Sequence, residues 1–128
     1  ETYCAQIAIE AHTMDDIIRR QILPAVSNYA AELCRRMGDL KAAQVPVVYE
    51  TKTCEKLAIL TDALLDATER LEEHLLNVPE KMEEAMNWYH DVIVADMNEA
   101  RSAADQLESI TDEKYWPFPV YSELLFSE

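Results

Sequence analysis

The sequence predicts an all-α fold: an antiparallel three-helix bundle, its first helix kinked near Pro24, ending in an aromatic, proline-containing C-terminal tail. Three observations predict it. Three long stretches place apolar residues at spacings of three and four, the period of one helix face. The 128 residues contain a single glycine, Gly38, where average usage of about 7% would give roughly nine. Tight turns, phosphate-cradling loops and β-bulges need residues that tolerate positive φ, so glycine-rich nucleotide loops and hairpin-rich β folds are excluded. Finally, 25 acidic side chains face 11 basic ones, a net charge of −14. Nucleic-acid binding draws its affinity from Lys and Arg at phosphates, so that partner is excluded as well. The length suits one domain with a sizeable core.

The first helix is expected over residues 2–37, on the apolar series Tyr3, Ile7, Met14, Ile18, Leu23, Val26, Tyr29, Leu33 and Met37. Pro24 lacks an N–H and crowds the preceding turn, which places a kink or break near residues 20–24. Gly38 is suited to end the helix in a left-handed cap. Residues 39–50 lack periodicity and include Pro46, an extended connector.

The second helix, over 51–76, carries the cleanest seam: Leu57, Leu60, Leu64, Ala67, Leu71 and Leu75. Asp62, Asp66, Glu69, Glu72 and Glu73 fall between them as a solvated face. Asn77–Glu80 forms a turn, and Pro79 restarts a helix over 79–111 with Glu80, Glu83 and Glu84 at its positive end. Its stripe is Met82, Met86, Tyr89, Ile93, Met97, Ala100, Ala104, Leu107 and Ile110. A short turn makes the second and third helices an antiparallel hairpin, and the first must cover them. The charge is uneven: −1 over 1–38, −4 over 50–77 and −7 over 78–112. Residues 1–112 are thus the bundle and 113–128 a docking tail. In that tail Tyr115, Trp116, Phe118, Tyr121 and Phe126 crowd five aromatics into twelve residues. So apolar a segment marks a docking surface, with Trp116, Phe118, Tyr121, Leu125 and Phe126 as its anchors.

The chain opens on Glu1 with no basic segment leading into an apolar one, so no secretory signal is read, and the chain is taken as a piece of something longer. No apolar run approaches the length of a membrane span. Cys4, Cys34 and Cys54 form no CxxC pair, which argues against zinc or redox motifs and for free thiols in a reducing cytoplasm.

The remaining polar groups assemble no chemical site. Glu69 and Glu73 share a face, but the di-metal bundles need Glu three residues before His, and Leu71 and Asn87 stand there before His74 and His90. A phosphotransfer histidine needs a basic, open setting, whereas His74 follows Glu72-Glu73 and His90 precedes Asp91. His12, close to Asp15 and Asp16, reads as a contact residue. Cys34 precedes Arg35-Arg36 yet lies on a helix flank between Leu33 and Met37. No catalytic, cofactor-binding or metal-binding residue is assigned.

Two segments are informative together. One runs from Ile9-Glu10-Ala11-His12 through Ile22-Leu23-Pro24-Ala25-Val26; the other from Tyr89-His90-Asp91-Val92-Ile93 through Ala103-Ala104-Asp105-Gln106-Leu107-Glu108 to Trp116-Pro117-Phe118-Pro119-Val120-Tyr121-Ser122-Glu123-Leu124-Leu125-Phe126. Their order resembles the C-terminal region of type III glutamine synthetases, the long-chain form, with an ILPA helix, an acidic hairpin and a WPxPxYxxLLF-like tail. The resemblance implies a parent that joins ammonia to glutamate using ATP and a divalent metal (Mg or Mn). It implies that this catalysis resides upstream, in a β-rich region, and that the parent forms ring-type homo-oligomers. The fragment is then non-catalytic, its partners being the upstream catalytic region and neighbouring subunits. Two other readings stay open: an autonomous acidic helical module binding a basic or amphipathic partner, and a phosphotransfer-type bundle.

Overall fold

A computed structural model describes residues 2–119. These residues form three long helices and no strand. The first, α1, runs over 2–42: α-helix Thr2–Ile17, a π-helical turn Ile18–Ile22, then α-helix Leu23–Ala42. The chain does not break at Pro24. Ahead of it the Leu23 N–H donates to the Ile18 carbonyl, five residues back. The wider turn lies where the proline ring would press on the carbonyl four residues before it.

Gly38 is not the cap. It lies inside α1, and a Cβ built there meets nothing within 4 Å. The helix ends four residues later, and the left-handed residue is Gln44, with φ 62°. The Val45 N–H donates to Leu40 O at 2.8 Å and the Gln44 N–H to Lys41 O at 3.0 Å. This paired closure satisfies the last carbonyls whatever side chain occupies the left-handed position. The connector is therefore residues 43–47, shorter than its lack of periodicity suggested, because the polar stretch after Gly38 is still helical.

The second helix, α2, spans Val48–Leu76 and buries Thr53, Leu57, Leu64, Ala67, Thr68 and Leu71. The Thr68 hydroxyl meets its buried surroundings by donating to Leu64 O at 2.7 Å. Asn77 closes the helix, its amide donating to Glu73 O at 2.7 Å. The third helix, α3, covers 82–110: α-helix Met82–Trp88, a π-turn Tyr89–Ile93, then α-helix Val94–Ile110. It begins at Met82, with Lys81 extended at φ −70°, ψ 135°, so Pro79 lies before the helix and Glu83 and Glu84 occupy its first turn.

Cross-helix contacts fix how the helices lie. Arg19 of α1 meets Glu72 of α2, and Met37 of α1 meets Thr51 of α2. Between α2 and α3, His74 meets Asp96 and Arg70 meets Glu99. The main core joins Ile18, Ile22, Val26, Tyr29 and Leu33 to Leu57, Leu64, Ala67, Ala100, Ala103 and Leu107. A smaller cluster of Ala11, Leu71, Ile93 and Met97 continues it toward the start of α1. Each fully buried aliphatic side chain contributes roughly 1.5–3 kcal/mol.

Candidate functional site

The aromatic segment after α3 begins with a change of backbone. Thr111 turns extended at φ −94°, ψ 133°, while its hydroxyl and amide both donate to Leu107 O, at 2.6 and 3.0 Å. Asp112 then organises a tight turn. Its side-chain Oδ1 accepts the Lys114 N–H at 2.9 Å, and its carbonyl accepts the amides of Tyr115 at 2.8 Å and Trp116 at 3.2 Å. An Asp that folds its own backbone this way needs no glycine. The turn sets the Tyr115 ring 5.4 Å from that of Tyr29, with Lys114 Nζ over the Tyr115 ring at 5.5 Å from its centroid. Trp116 is 8% exposed and belongs to the main core, and Phe118 packs against it half-buried. The other three expected anchors, Tyr121, Leu125 and Phe126, lie outside the described residues.

Beside this turn an open cleft of about 480 Å³ is lined by Tyr29, Arg36, Tyr49, Lys56, Asp112 and Glu113, among others. Burial, followed by a hydrogen bond with Tyr49 and the charge of Asp112, pushes the Tyr29 hydroxyl up to about 12. On the exposed side of α1, Glu32 accepts from both Arg35 and Arg36, which hold it down to about 2. The arginine pair is thus engaged within its own helix. A second, apolar groove of about 370 Å³ runs between α1 and α3, bounded by Ile9, Met14, Ile17, Ile18 and Ala104 with Arg101.

The opposite end of the helices holds polar groups that the sequence alone did not bring together. Arg19 grips Glu72 with two parallel hydrogen bonds, Nε to Oε2 at 2.8 Å and a terminal nitrogen to Oε1 at 2.7 Å. Asp15 shares a hydrogen bond with Glu72, and one of its oxygens, Oδ1, is buried without a partner among the described residues. Burial first, then Glu72, raises Asp15 from 3.8 to about 7, while Arg19 holds Glu72 down to about 2. One α2 carboxylate therefore stands against a guanidinium and a second carboxyl at once. Nearby, His74 Nδ1 and Asp96 Oδ2 lie 2.5 Å apart, the Trp88 ring stands edge-on to His74, and the Trp88 indole donates to His74 O at 2.8 Å. Asp15 and Arg19 are four apart and legible as neighbours. Their meeting with Glu72, 53 positions on, is not.

Among the described residues no group of three or more His, Cys, Asp or Glu side chains is placed to hold a metal ion. The carboxylates best placed by burial are committed elsewhere, Glu72 to Arg19 and Asp96 to His74. These residues do not fit the divalent metal that the resemblance implies for the parent. No helix among the described residues is long and apolar enough to cross a membrane.

Residues 1–41, which is to say α1, match the family model described as the glutamine synthetase C-terminal domain. The chain is 29% identical to a glutamine synthetase of Butyrivibrio fibrisolvens, with 99% of the chain and 19% of the relative aligned. It is 24% identical to the type-3 glutamine synthetase of Dictyostelium discoideum, over 98% of the chain and 18% of the relative. To a glutamine synthetase of Bacteroides fragilis it is 23% identical, over its full length and 19% of the relative. The chain thus spans about a fifth of the length of these curated relatives. No solved structure matches it. The resemblance carried by the two end segments therefore has independent support: the chain is similar to glutamine synthetases over nearly its whole length, and its first helix matches the model of their C-terminal domain.

Proposed function

We propose that this chain is the non-catalytic C-terminal helical region of a type III glutamine synthetase, with a structural or assembly role. In this reading the parent ligates ammonia to glutamate with ATP and Mg or Mn in the cytoplasm, as part of nitrogen metabolism. The region works as an antiparallel three-helix bundle, bent ahead of Pro24, that docks on the upstream catalytic region and on neighbouring subunits of a ring-shaped homo-oligomer. One observation carries the reading: nearly the whole chain aligns with about a fifth of three glutamine synthetases, one of them named type-3. The engagement of Glu72 with Arg19 and of Asp96 with His74 supports it.

The test has two arms. The isolated chain, supplied with glutamate, ammonia, ATP and Mg²⁺, is expected to form no glutamine, and turnover overturns the non-catalytic role. In the full-length parent, replacing Trp116 and Phe126 together with Ala is expected to shift the oligomer to smaller species in sedimentation velocity. Unchanged assembly and melting overturn the docking role. Interface aromatics commonly cost about 2 kcal/mol or more each when truncated.

A further inference from the structure

All three cysteines carry free thiols, and two of them lie on neighbouring helices. The register follows from the Met37–Thr51 contact, where the Thr51 hydroxyl donates to the methionine sulfur at 3.6 Å. Three residues back along α1 is Cys34, and three residues on along α2 is Cys54, so opposed helices bring the two to one level. They flank Leu33 and Leu57, both fully buried. Cys54 is half-buried and packs on the main core, whereas Cys34 is exposed. Burial pushes the Cys54 thiol up, and the adjoining Cys34 adds to that shift. Cys4 is no competitor within the chain, since 30 helical residues separate it from Cys34, about 45 Å.

We infer that Cys34 and Cys54 form a dithiol site that closes reversibly into a disulfide between α1 and α2 on exchange with a low-molecular-weight disulfide. Packed helices stand about 8–10 Å apart with Cα atoms about 2.3 Å off each axis. Cα atoms on the line of closest approach are then roughly 3.5–5.5 Å apart, and positions that flank it, as Cys34 and Cys54 flank Leu33 and Leu57, stand somewhat wider, near the span a disulfide bridges. The exposed Cys34 thiolate attacks a sulfur of the small disulfide, whose S–S bond breaks and releases one thiolate. Cys54 then gives its proton to solvent and its sulfur attacks Cys34 Sγ, expelling the second thiolate. The two protein thiols lose two electrons, and the small disulfide is reduced to two thiols.

Oxidised glutathione serves as the probe. The full chain is equilibrated with it, quenched by acid and mapped by mass spectrometry after digestion without reductant. The expected product joins the peptides carrying Cys34 and Cys54, retains no glutathione, weighs two hydrogens less and reverts with dithiothreitol. In Cys54→Ser the glutathione stays on Cys34, and in Cys34→Ser the reaction at Cys54 slows at least about tenfold, as access governs exchange. A wild-type product with glutathione held on Cys34 and Cys54 still a thiol overturns the inference. Covalent dimers through Cys34 do the same. The closed form is expected to melt roughly 5–10 °C higher, because the bridge restricts the unfolded chain. A midpoint that fails to rise overturns the claim that the native helices hold the pair in register.

Discussion

The two ends of the helix set are closed by different chemistry. Where α1 finishes and α2 begins, closure is ring upon ring and indole into core: Tyr29 against Tyr115, and Trp116 among the aliphatic side chains of all three helices. At the other end the apolar cluster shrinks to Ala11, Leu71, Ile93 and Met97, and polar contacts complete it through Arg19, Glu72 and Asp15 and through His74 and Asp96. The apolar end takes its stability from area removed from water, which pH does not change. The polar end depends on protonation and on one register between helices, because a displaced partner leaves a buried polar atom unsatisfied.

Substitutions can break this contrast, beginning with the largest effect. Trp116→Ala should lower unfolding free energy by about 3–5 kcal/mol, read from urea titration, with little change between pH 5 and 8. A loss below about 1 kcal/mol would mean that the indole does not contribute to the core. The opposite end should respond to pH. Asp15 in the folded chain, at about 7, holds a proton that the unfolded chain releases near 3.8, so stability falls as pH rises between these values and is level above. Glu72, held near 2 against 4.5 unfolded, contributes stability that is present above 4.5 and is lost on acidification toward 2. Asp15→Asn should therefore flatten the decline between pH 5 and 8 and stabilise by about 1 kcal/mol at pH 8. An unchanged slope would remove Asp15 as its source.

Smaller effects sharpen the picture between the ends. Gly38→Ala should stabilise by about 0.5–1 kcal/mol, since the added methyl meets open space and the unfolded chain loses freedom. Gln44→Gly should add a similar amount by relieving the left-handed backbone. Thermal melts of both single variants and the double variant would check this, the two being expected to add. Smallest of all, Arg70→Ala breaks an exposed pair with Glu99 and should change stability by less than about 0.5 kcal/mol.

What was legible in the sequence was whatever is periodic. Leu57, Leu64, Ala67 and Leu71 are buried as the spacing of the second helix requires, and Ile93, Met97, Ala100 and Leu107 likewise in the third. Local signals were weaker guides. Gly38 looked like a stop, but a helix tolerates one glycine for about 1 kcal/mol, and a Schellman closure supplied by backbone hydrogen bonds can use Gln44. Pro79 looked like a first helical residue, yet α3 starts at Met82. Glu72 was read as solvated because its own helix says so, and only the neighbouring helix supplies Arg19. Such cross-helix polar contacts leave no periodic trace. Aromatic crowding singled out Trp116 and Phe118 but carries no information on how Asp112 would turn the chain to bury them.

The π-turns at Ile18–Ile22 and Tyr89–Ile93 act as phase keepers. A wide turn holds one residue more than an α-turn, and each residue advances an α-helix by about 100°. Deleting one residue from 18–22 would relax that turn to ordinary helix and leave the faces before and after it in phase, because four residues at about 100° each cover the rotation that the wide turn spreads over five. Ala11, buried at 0% exposure, would still face Leu71 and Ile93, and Asp15 would still reach Glu72. A single-residue deletion here is thus expected to leave both ends closed: the wide turn lets α1 carry one residue more than a plain helix while keeping its two halves on the same core.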